Sequence, residues 1–332
     1  MSVLVTGGAG YIGGHMALGL IDAGEQPVVL DNLSTGFDWA VPDSVPFAVG
    51  DIGDADLVAR LIAEHKIEAI AHFAAKIVVP ESVADPLGYY LNNTAKARTL
   101  IDTAIQNGVK IFIFSSTAAV YGEASSEPIS EATPLDPISP YGRSKLMVEW
   151  MLEDASRAHD FRYVALRYFN VAGADPKGRL GQSGANATHL IKRGVQTALG
   201  VYPTMQIFGD DYPTRDGTCV RDYIQVTDLI DAHKDALAYL RGGGKSVVCN
   251  CGYGHGETVR EVIDVVKRVS GVDFRVVQSP RRPGDPAALV ALADRAKSLL
   301  GWTPKRDNLD DIVRQALAWE RRLHNRGPGI KP

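Results

Sequence analysis

The chain has no lysine or arginine before Arg60. An anion bound by this opening segment would have to be met by backbone amides and helix dipoles, because side-chain cations are missing. The chain has only three cysteines, Cys219, Cys249 and Cys251. They are too few for a disulfide framework, and Cys249-x-Cys251 lacks the second pair that a zinc site needs. Buried thiols and no metal are expected. No apolar run approaches the roughly 18 residues of a membrane helix, and no basic segment precedes the apolar Ser2-Val3-Leu4-Val5. The expectation is a cytoplasmic protein without membrane contact. A formal net charge of -4 gives no general attraction to nucleic acid or anionic lipid. Internal repeats and low-complexity linkers are also missing, and Gly242-Gly243-Gly244 reads as a turn between a helix and a strand.

What is present suits a large soluble core. The 332 residues are 45% hydrophobic and 22% charged, enough for one big or two interlocked domains. Ser2 to Thr6 is a β-branched and apolar run, followed by Gly7-Gly8-Ala9-Gly10-Tyr11-Ile12-Gly13 and an apolar-periodic stretch to about Ala23. The order is strand, glycine turn, helix. Gly8, Gly10 and Gly13 fit G-x-G-x-x-G, and Gly7, Gly10 and Gly13 fit G-x-x-G-x-x-G. Either register lets backbone approach a pyrophosphate at a helix N-terminus. A second strand, Pro27 to Leu30, delivers Asp31, 18 residues after Gly13, where a carboxylate can meet an adenosine ribose. A 2′-phosphate would face Asp31 with no cation from this segment, so NAD is favoured over NADP.

The alternation then continues. Val45 to Val49 reads as a third strand ending at Asp51, Ala55 to His65 as a helix and Ala69 to Phe73 as a fourth strand. Leu87 to Gln106 reads as a helix and Ile111 to Ser115 as a fifth strand. This pattern predicts an α/β fold with a Rossmann-type doubly wound parallel sheet, ligands lying at the carboxyl ends of its strands. Residues 1–169 are expected to form the NAD-binding domain with its catalytic helix. Residues 170–332 are expected to form a smaller α/β substrate domain, with part of 224–252 returning to the first.

Tyr141-Gly142-Arg143-Ser144-Lys145 places a phenol and an ammonium one helical turn apart. Ser139 suits an N-cap and Pro140 the first helical position. A tyrosine of pKa about 10 is a poor base at neutral pH, and a neighbouring cation favours the phenolate. Lowering it by roughly 3 units corresponds to about 4 kcal/mol. An isolated Y-x-x-x-K is ordinarily a surface helix; weight comes from its companions. Ser115, Ser116 and Thr117 end the fifth strand, where a hydroxyl can hydrogen-bond an oxygen being deprotonated. Glycine loop, strand-end hydroxyl and Tyr-Lys helix together match the short-chain dehydrogenase/reductase pattern.

Several longer segments sharpen the match. They are Thr6-Gly-Gly-Ala-Gly-Tyr-Ile-Gly13, Leu30-Asp-Asn-Leu-Ser34, Gly50-Asp-Ile52, His72-Phe-Ala-Ala75, Ser115-Ser-Thr-Ala-Ala-Val-Tyr-Gly122, Tyr141-Gly-Arg-Ser-Lys145 and Arg167-Tyr-Phe-Asn170. With the Ile207 to Ile224 segment and Arg281-Arg-Pro-Gly-Asp285, they resemble the UDP-glucose 4-epimerases, extended members of that superfamily, over nearly the whole chain. The resemblance implies NAD+ as a transient hydride acceptor while Tyr141 takes the proton of the sugar 4-hydroxyl. Lys145 would lower the Tyr141 pKa and hold the nicotinamide ribose, and Thr117 would bond the 4-oxygen, where relatives often have serine. Cofactor contacts would come from Gly7, Gly10, Tyr11, Ile12, Gly13, Asp31, Asn32, Asp51, Ile52, Phe73, Ala74, Ala75, Asn92, Ser115 and Tyr168 besides Tyr141 and Lys145. A UDP-sugar would meet Asn170, His189, Leu190, Gln206, Phe208, Arg221, Arg282, Asp285 and Leu289 besides Thr117 and Tyr141.

The chain departs from the pattern at Lys192, where many relatives have proline, and at Ile77, where some have lysine; Lys76 is the available substitute. Leu289 stands where glucose-restricted relatives have tyrosine and broader ones a small residue. A 4,6-dehydratase would need an Asp-Glu pair after Thr117, and the chain has Ala118-Ala119. A 4-epimerase of an N-acetylhexosamine, uronate or pentose, and a silent NAD-binding sensor or scaffold, are the remaining alternatives. A homodimer through the helices near 87–106 and 140–159 is implied by analogy alone.

Overall fold

Seven strands form one parallel sheet in a computed structural model that describes residues 1–123, 128–184, 188–282 and 285–325. They are β1 (Ser2–Thr6), β2 (Gln26–Asp31), β3 (Phe47–Val49), β4 (Ile67–His72), β5 (Ile111–Ser115), β6 (Arg162–Tyr168) and β7 (Val247–Cys251). Their order is β3-β2-β1-β4-β5-β6-β7, all parallel. The winding reverses between β1 and β4, which opens a crevice at their carboxyl ends.

The strand composition explains the double cover. Val3, Val5, Ile111 and Ile113 enter one buried cluster, and the alternating Leu4, Ile70, Phe112 and Phe114 enter another. Met16 and Leu20 of the Tyr11–Asp22 helix and Leu229 and Ile230 of the Val226–Arg241 helix complete the first face. Val58, Leu100, Val148 and Leu152, from the Ala55–His65, Lys96–Gln106 and Pro140–Ala158 helices, complete the second. Each fully buried Leu or Phe contributes about 1.5–3 kcal/mol, so neither face can be left uncovered.

The remainder forms a second layer above the strand ends. Tyr223–Gln225 pairs with Asn170–Ala172, and Val276–Ser279 pairs with Met205–Phe208. Val220–Arg221 lies between Glu257–Thr258 and Ala288–Leu289. Leu190–Ala198, Val259–Ser270 and Leu309–His324 are its main helices. Residues 226–251 cross back: their helix packs on the first sheet face and β7 extends β6. Among the described residues no helix is long and apolar enough to cross a membrane.

Some boundaries differ from the sequence expectation. The third strand begins at Phe47 rather than Val45, which is buried before pairing starts. The expected 87–106 helix is Pro86–Tyr89, a π-helical turn Tyr90–Ala95 and Lys96–Gln106, the extra residue per turn falling beside the site. The short strand Ala288–Leu289 stops before Ala291, which bridges to Ile129 instead.

Candidate active site

The crevice is lined first by glycines. Gly7 has φ +71, and a Cβ there would lie 2.6 Å from the Ala74 amide nitrogen. A Cβ on Gly13 would lie 2.2 Å from the Gly7 carbonyl oxygen. The turn therefore closes tightly under Phe73 and Ala74, with Ala75 next in the chain. Gly10 caps the Tyr11–Asp22 helix without any side-chain hydrogen bond, and no acidic residue sits in its first turn. That N-terminus can receive a pyrophosphate at the amides of Tyr11 to Gly13. Tyr11 spends its hydroxyl elsewhere, on the Gly173 carbonyl at 2.8 Å.

At the end of β2, Asp31 accepts the Ala9 amide at 3.0 Å on Oδ2 and the Leu33 amide at 2.8 Å on Oδ1. Each oxygen keeps a lone pair for a ribose hydroxyl. Asn32 is exposed beside it, its Oδ1 accepting the Ser34 amide. Asp51 binds the Gly53 amide and Lys96 Nζ, the latter at 2.5 Å, next to buried Ile52. Asn92 donates to Asn93 Oδ1 in the π turn, and Asn93 in turn donates to Ser144 Oγ at 3.1 Å. A cradle that excludes a Cβ, an uncapped helix start and a poised carboxylate fit NAD.

Across the crevice stands the Pro140–Ala158 helix. Ser139 Oγ accepts the Gly142 amide at 3.1 Å and Pro140 occupies the first turn, as the local sequence requires. Lys145 is buried, its Nζ donating to the Ser115 carbonyl at 2.8 Å and lying 4.9 Å from the Phe114 ring centroid. Thr117 Oγ1 accepts the Ala119 amide at 3.1 Å. Ser115 Oγ and the Tyr168 hydroxyl hydrogen-bond each other.

Burial dominates the electrostatics of both Tyr141 and Lys145. Burial pushes Tyr141 above its ordinary value, and the Thr117 hydroxyl is the group that pulls it back. Burial likewise pushes the Lys145 ammonium down to about 7, with the Glu149 carboxylate opposing. Lys145 spends its directed hydrogen bond on the strand end, at the Ser115 carbonyl.

The second layer supplies another set. A small pocket is lined by Asn170, Gly173, Gln182, His189, Leu190, Lys192 and Trp319. Gln182 Nε2 donates to His189 Nδ1 at 2.7 Å, and burial lowers the His189 pKa. Arg221 Nη2 lies 3.7 Å from Asp285 Oδ1, and the Arg282 guanidinium lies 3.7 Å from the centroid of the Phe208 ring. Gln206 is exposed on the same short strand as Phe208. Leu289 pairs with Arg221 and packs on the cluster of Ala118, Tyr121 and Leu146. Pro283 and Gly284 of the Arg281 to Asp285 motif lie outside the described residues. Lys76 is turned toward Glu81 and Asp85, at 3.8 Å from each, and Ile77 is exposed.

Comparison with known proteins places this geometry. The model of the NAD dependent epimerase/dehydratase family matches residues 3–252. The chain belongs to that family. Within it, a UDP-glucose 4-epimerase of Azospirillum brasilense is 56% identical over 321 residues, 97% of this chain and 92% of that protein. The crystal structure of UDP-glucose 4-epimerase from Brucella ovis in complex with NAD has a TM-score of 0.93 at 44% identity, covering 96% of this chain and 97% of that one. The UDP-Glc/GlcNAc 4-epimerase of Campylobacter jejuni has a TM-score of 0.85 at 48% identity, covering 97% and 99%.

Two features of this NAD dependent epimerase/dehydratase escaped the sequence reading. Glu149, one helical turn after Lys145, forms a buried ion pair with Arg167 at 2.5 Å. The spacing Tyr141, Lys145, Glu149 was a usable signal, since it continues one helix face. Lys192, noted only as a departure from proline, forms a buried pair with Glu320 at 2.5 Å and donates to the Gln182 carbonyl at 2.6 Å. No local signal joins residues 192 and 320.

Proposed function

We propose that this protein interconverts UDP-galactose and UDP-glucose through a transient 4-keto sugar, a reaction of galactose metabolism. The observation that carries the reading is the meeting of Thr117, Tyr141 and Lys145 at the carboxyl end of β5, across from the Asp31-marked glycine cradle. NAD+ bound in that cradle supplies a hydride acceptor and the cationic nicotinamide that favours a nearby phenolate. Tyr141 takes and returns the 4-hydroxyl proton. Thr117 holds the 4-oxygen, which keeps proton transfer within hydrogen-bond reach. Lys145 fixes the strand end and would hold the nicotinamide ribose. Ala118 and Ala119 offer no acid for loss of water, which favours epimerisation over dehydration.

Nucleotide-sugar binding falls to Asn170, His189, Leu190, Gln206, Phe208, Arg221, Arg282, Asp285 and Leu289, with arginine forks suited to a diphosphate. Residues 1–169 with the returning 226–251 segment form the NAD unit, and the rest form the sugar unit. Leu87, Leu91 and Trp150 are 78%, 60% and 54% exposed on the helices flanking the site, an apolar patch that suits a homodimer. The three cysteines are free and buried, as suits the reducing cytoplasm. A second reading, a 4-epimerase that also accepts N-acetylated UDP-sugars, draws on Leu289, which lacks the bulk of tyrosine. Purified protein incubated with UDP-galactose, UDP-glucuronate, UDP-arabinose and UDP-N-acetylglucosamine without added cofactor tests both. UDP-glucose should form from UDP-galactose; its absence would reject the first reading.

A further inference from the structure

Glu149 lies one turn beyond Lys145 and two beyond Tyr141 on a single helix face, and it is 4% exposed. Its Oε1 accepts the Ser116 hydroxyl and Arg167 Nε, the latter at 3.0 Å, and its Oε2 accepts Arg167 Nη2 at 2.5 Å. Arg167 Nη1 donates to the Tyr121 hydroxyl at 3.0 Å, which donates to Asn250 Oδ1 at 2.6 Å. One carboxylate therefore ties the helix to the ends of β5 and β6 and, through Tyr121, to β7. Lys145 grips Ser115 and Glu149 grips Ser116, so successive residues of the strand end are held by successive turns of the helix.

A buried ion pair is a weak source of stability, because an apolar pair of similar volume serves as well. This pair has another use if its negative member acts on Lys145. The titratable and charged groups around Lys145 are Tyr141 and Glu149 on its own helix, His72 on β4, and from β6 Arg167, paired with Glu149, and Tyr168, bonded to Ser115. His72 is held neutral by burial and by the Lys145 charge itself. Tyr168 is pushed up by burial and stays protonated. Arg167 is fixed as a cation by Glu149. Glu149 is thus the one anion of the set.

We propose that Glu149 is a positioning residue of the reaction, keeping Lys145 cationic and holding the Ser115–Thr117 strand end in register with Tyr141. This rests on the reading of Tyr141 and Lys145 as the reacting pair. Glu149→Gln removes the charge and keeps one oxygen as acceptor for Ser116 and Arg167 Nε, at the cost of the second bond, from Arg167 Nη2. In protein labelled with 13Cε-lysine, the Lys145 resonance is assigned by its loss in Lys145→Met and titrated by NMR. The midpoint should fall by about one unit or more in Glu149→Gln. The alkaline limb of kcat should move down with it, while KM for UDP-galactose stays within about twofold.

A merely structural loosening would hydrate Lys145 and raise its midpoint, the opposite sign. An unchanged or raised midpoint in Glu149→Gln overturns the proposal. If that variant does not fold, Glu149→Gln/Arg167→Met is read against Arg167→Met, from which it differs only at residue 149: a lower midpoint in the double variant supports the proposal, an equal or higher one overturns it. The titration needs no turnover, so its outcome is separate from that of the UDP-sugar assay.

Discussion

Thr117 Oγ1 accepts the Ala119 amide at 3.1 Å, so its hydroxyl hydrogen remains available to the Tyr141 oxygen and to a substrate oxygen beside it. The base and its hydrogen-bond donor are set by one strand end. Tyr141→Phe keeps the ring and removes the base, so epimerisation should fall by about 100-fold or more with UDP binding retained. Thr117→Ser should keep most of the rate, whereas Thr117→Val should lose about 10- to 100-fold. Near-normal turnover of the phenylalanine variant, followed by coupled detection of UDP-glucose, would place the base elsewhere.

Cofactor choice follows from Asp31. Protein denatured after purification should release NAD(H), and NADP(H) as the sole nucleotide released would contradict the assignment. Asp31→Gly removes the ribose acceptor and should weaken NAD binding by about 10-fold or more.

Substrate range is tested at Leu289, half-buried against the cluster of Ala118 and Tyr121. Leu289→Tyr should lose activity on UDP-N-acetylglucosamine selectively, by about 1–3 kcal/mol in kcat/KM, with UDP-galactose activity largely kept. Parallel loss of both, or of neither, means that Leu289 packs the core without gating the pocket.

Acid should destabilise the fold well before carboxylates are protonated. Burial lowers His15 and His233 to about 4 and His72 to about 3, each from 6.5. Between those values the unfolded chain binds more protons than the folded one, so stability is full above about pH 6.5 and is lost as pH falls toward 4. Lowering one histidine from 6.5 to about 4 corresponds to about 3 kcal/mol. Asp222, which burial pushes up to about 6, works in the opposite direction and offsets roughly one histidine. The Tm should drop steeply between pH 7 and 5, and His233→Gln should flatten that drop; a flat wild-type profile would show these histidines to be hydrated.

The parts of this molecule that could be read from sequence are those fixed within a few residues. The glycine turn, the Asp31 strand end and the Ser139-capped helix each carry their own local instruction, and each forms where expected. What could not be read depends on strands or helices brought together from afar. Glu149 meets Arg167 only because β6 lies beside β5, and Lys192 meets Glu320 only because the last helix packs on Leu190–Ala198. The upward push of burial on Tyr141 has the same origin: helical spacing indicates a nearby cation but says nothing of burial or of where that cation makes its hydrogen bond.

The sheet is finished out of turn. β6 ends at Tyr168, and β7, which covers its open edge, begins only at Val247. During synthesis the nascent chain would hold an exposed β6 edge until the ribosome has released the whole Asn170–Arg241 stretch. That interval is a window for non-native strand pairing. The dinucleotide half therefore cannot be completed until the first part of the sugar half, residues 170–225, has been made, and a chain stopped near residue 169 should aggregate rather than bind nucleotide.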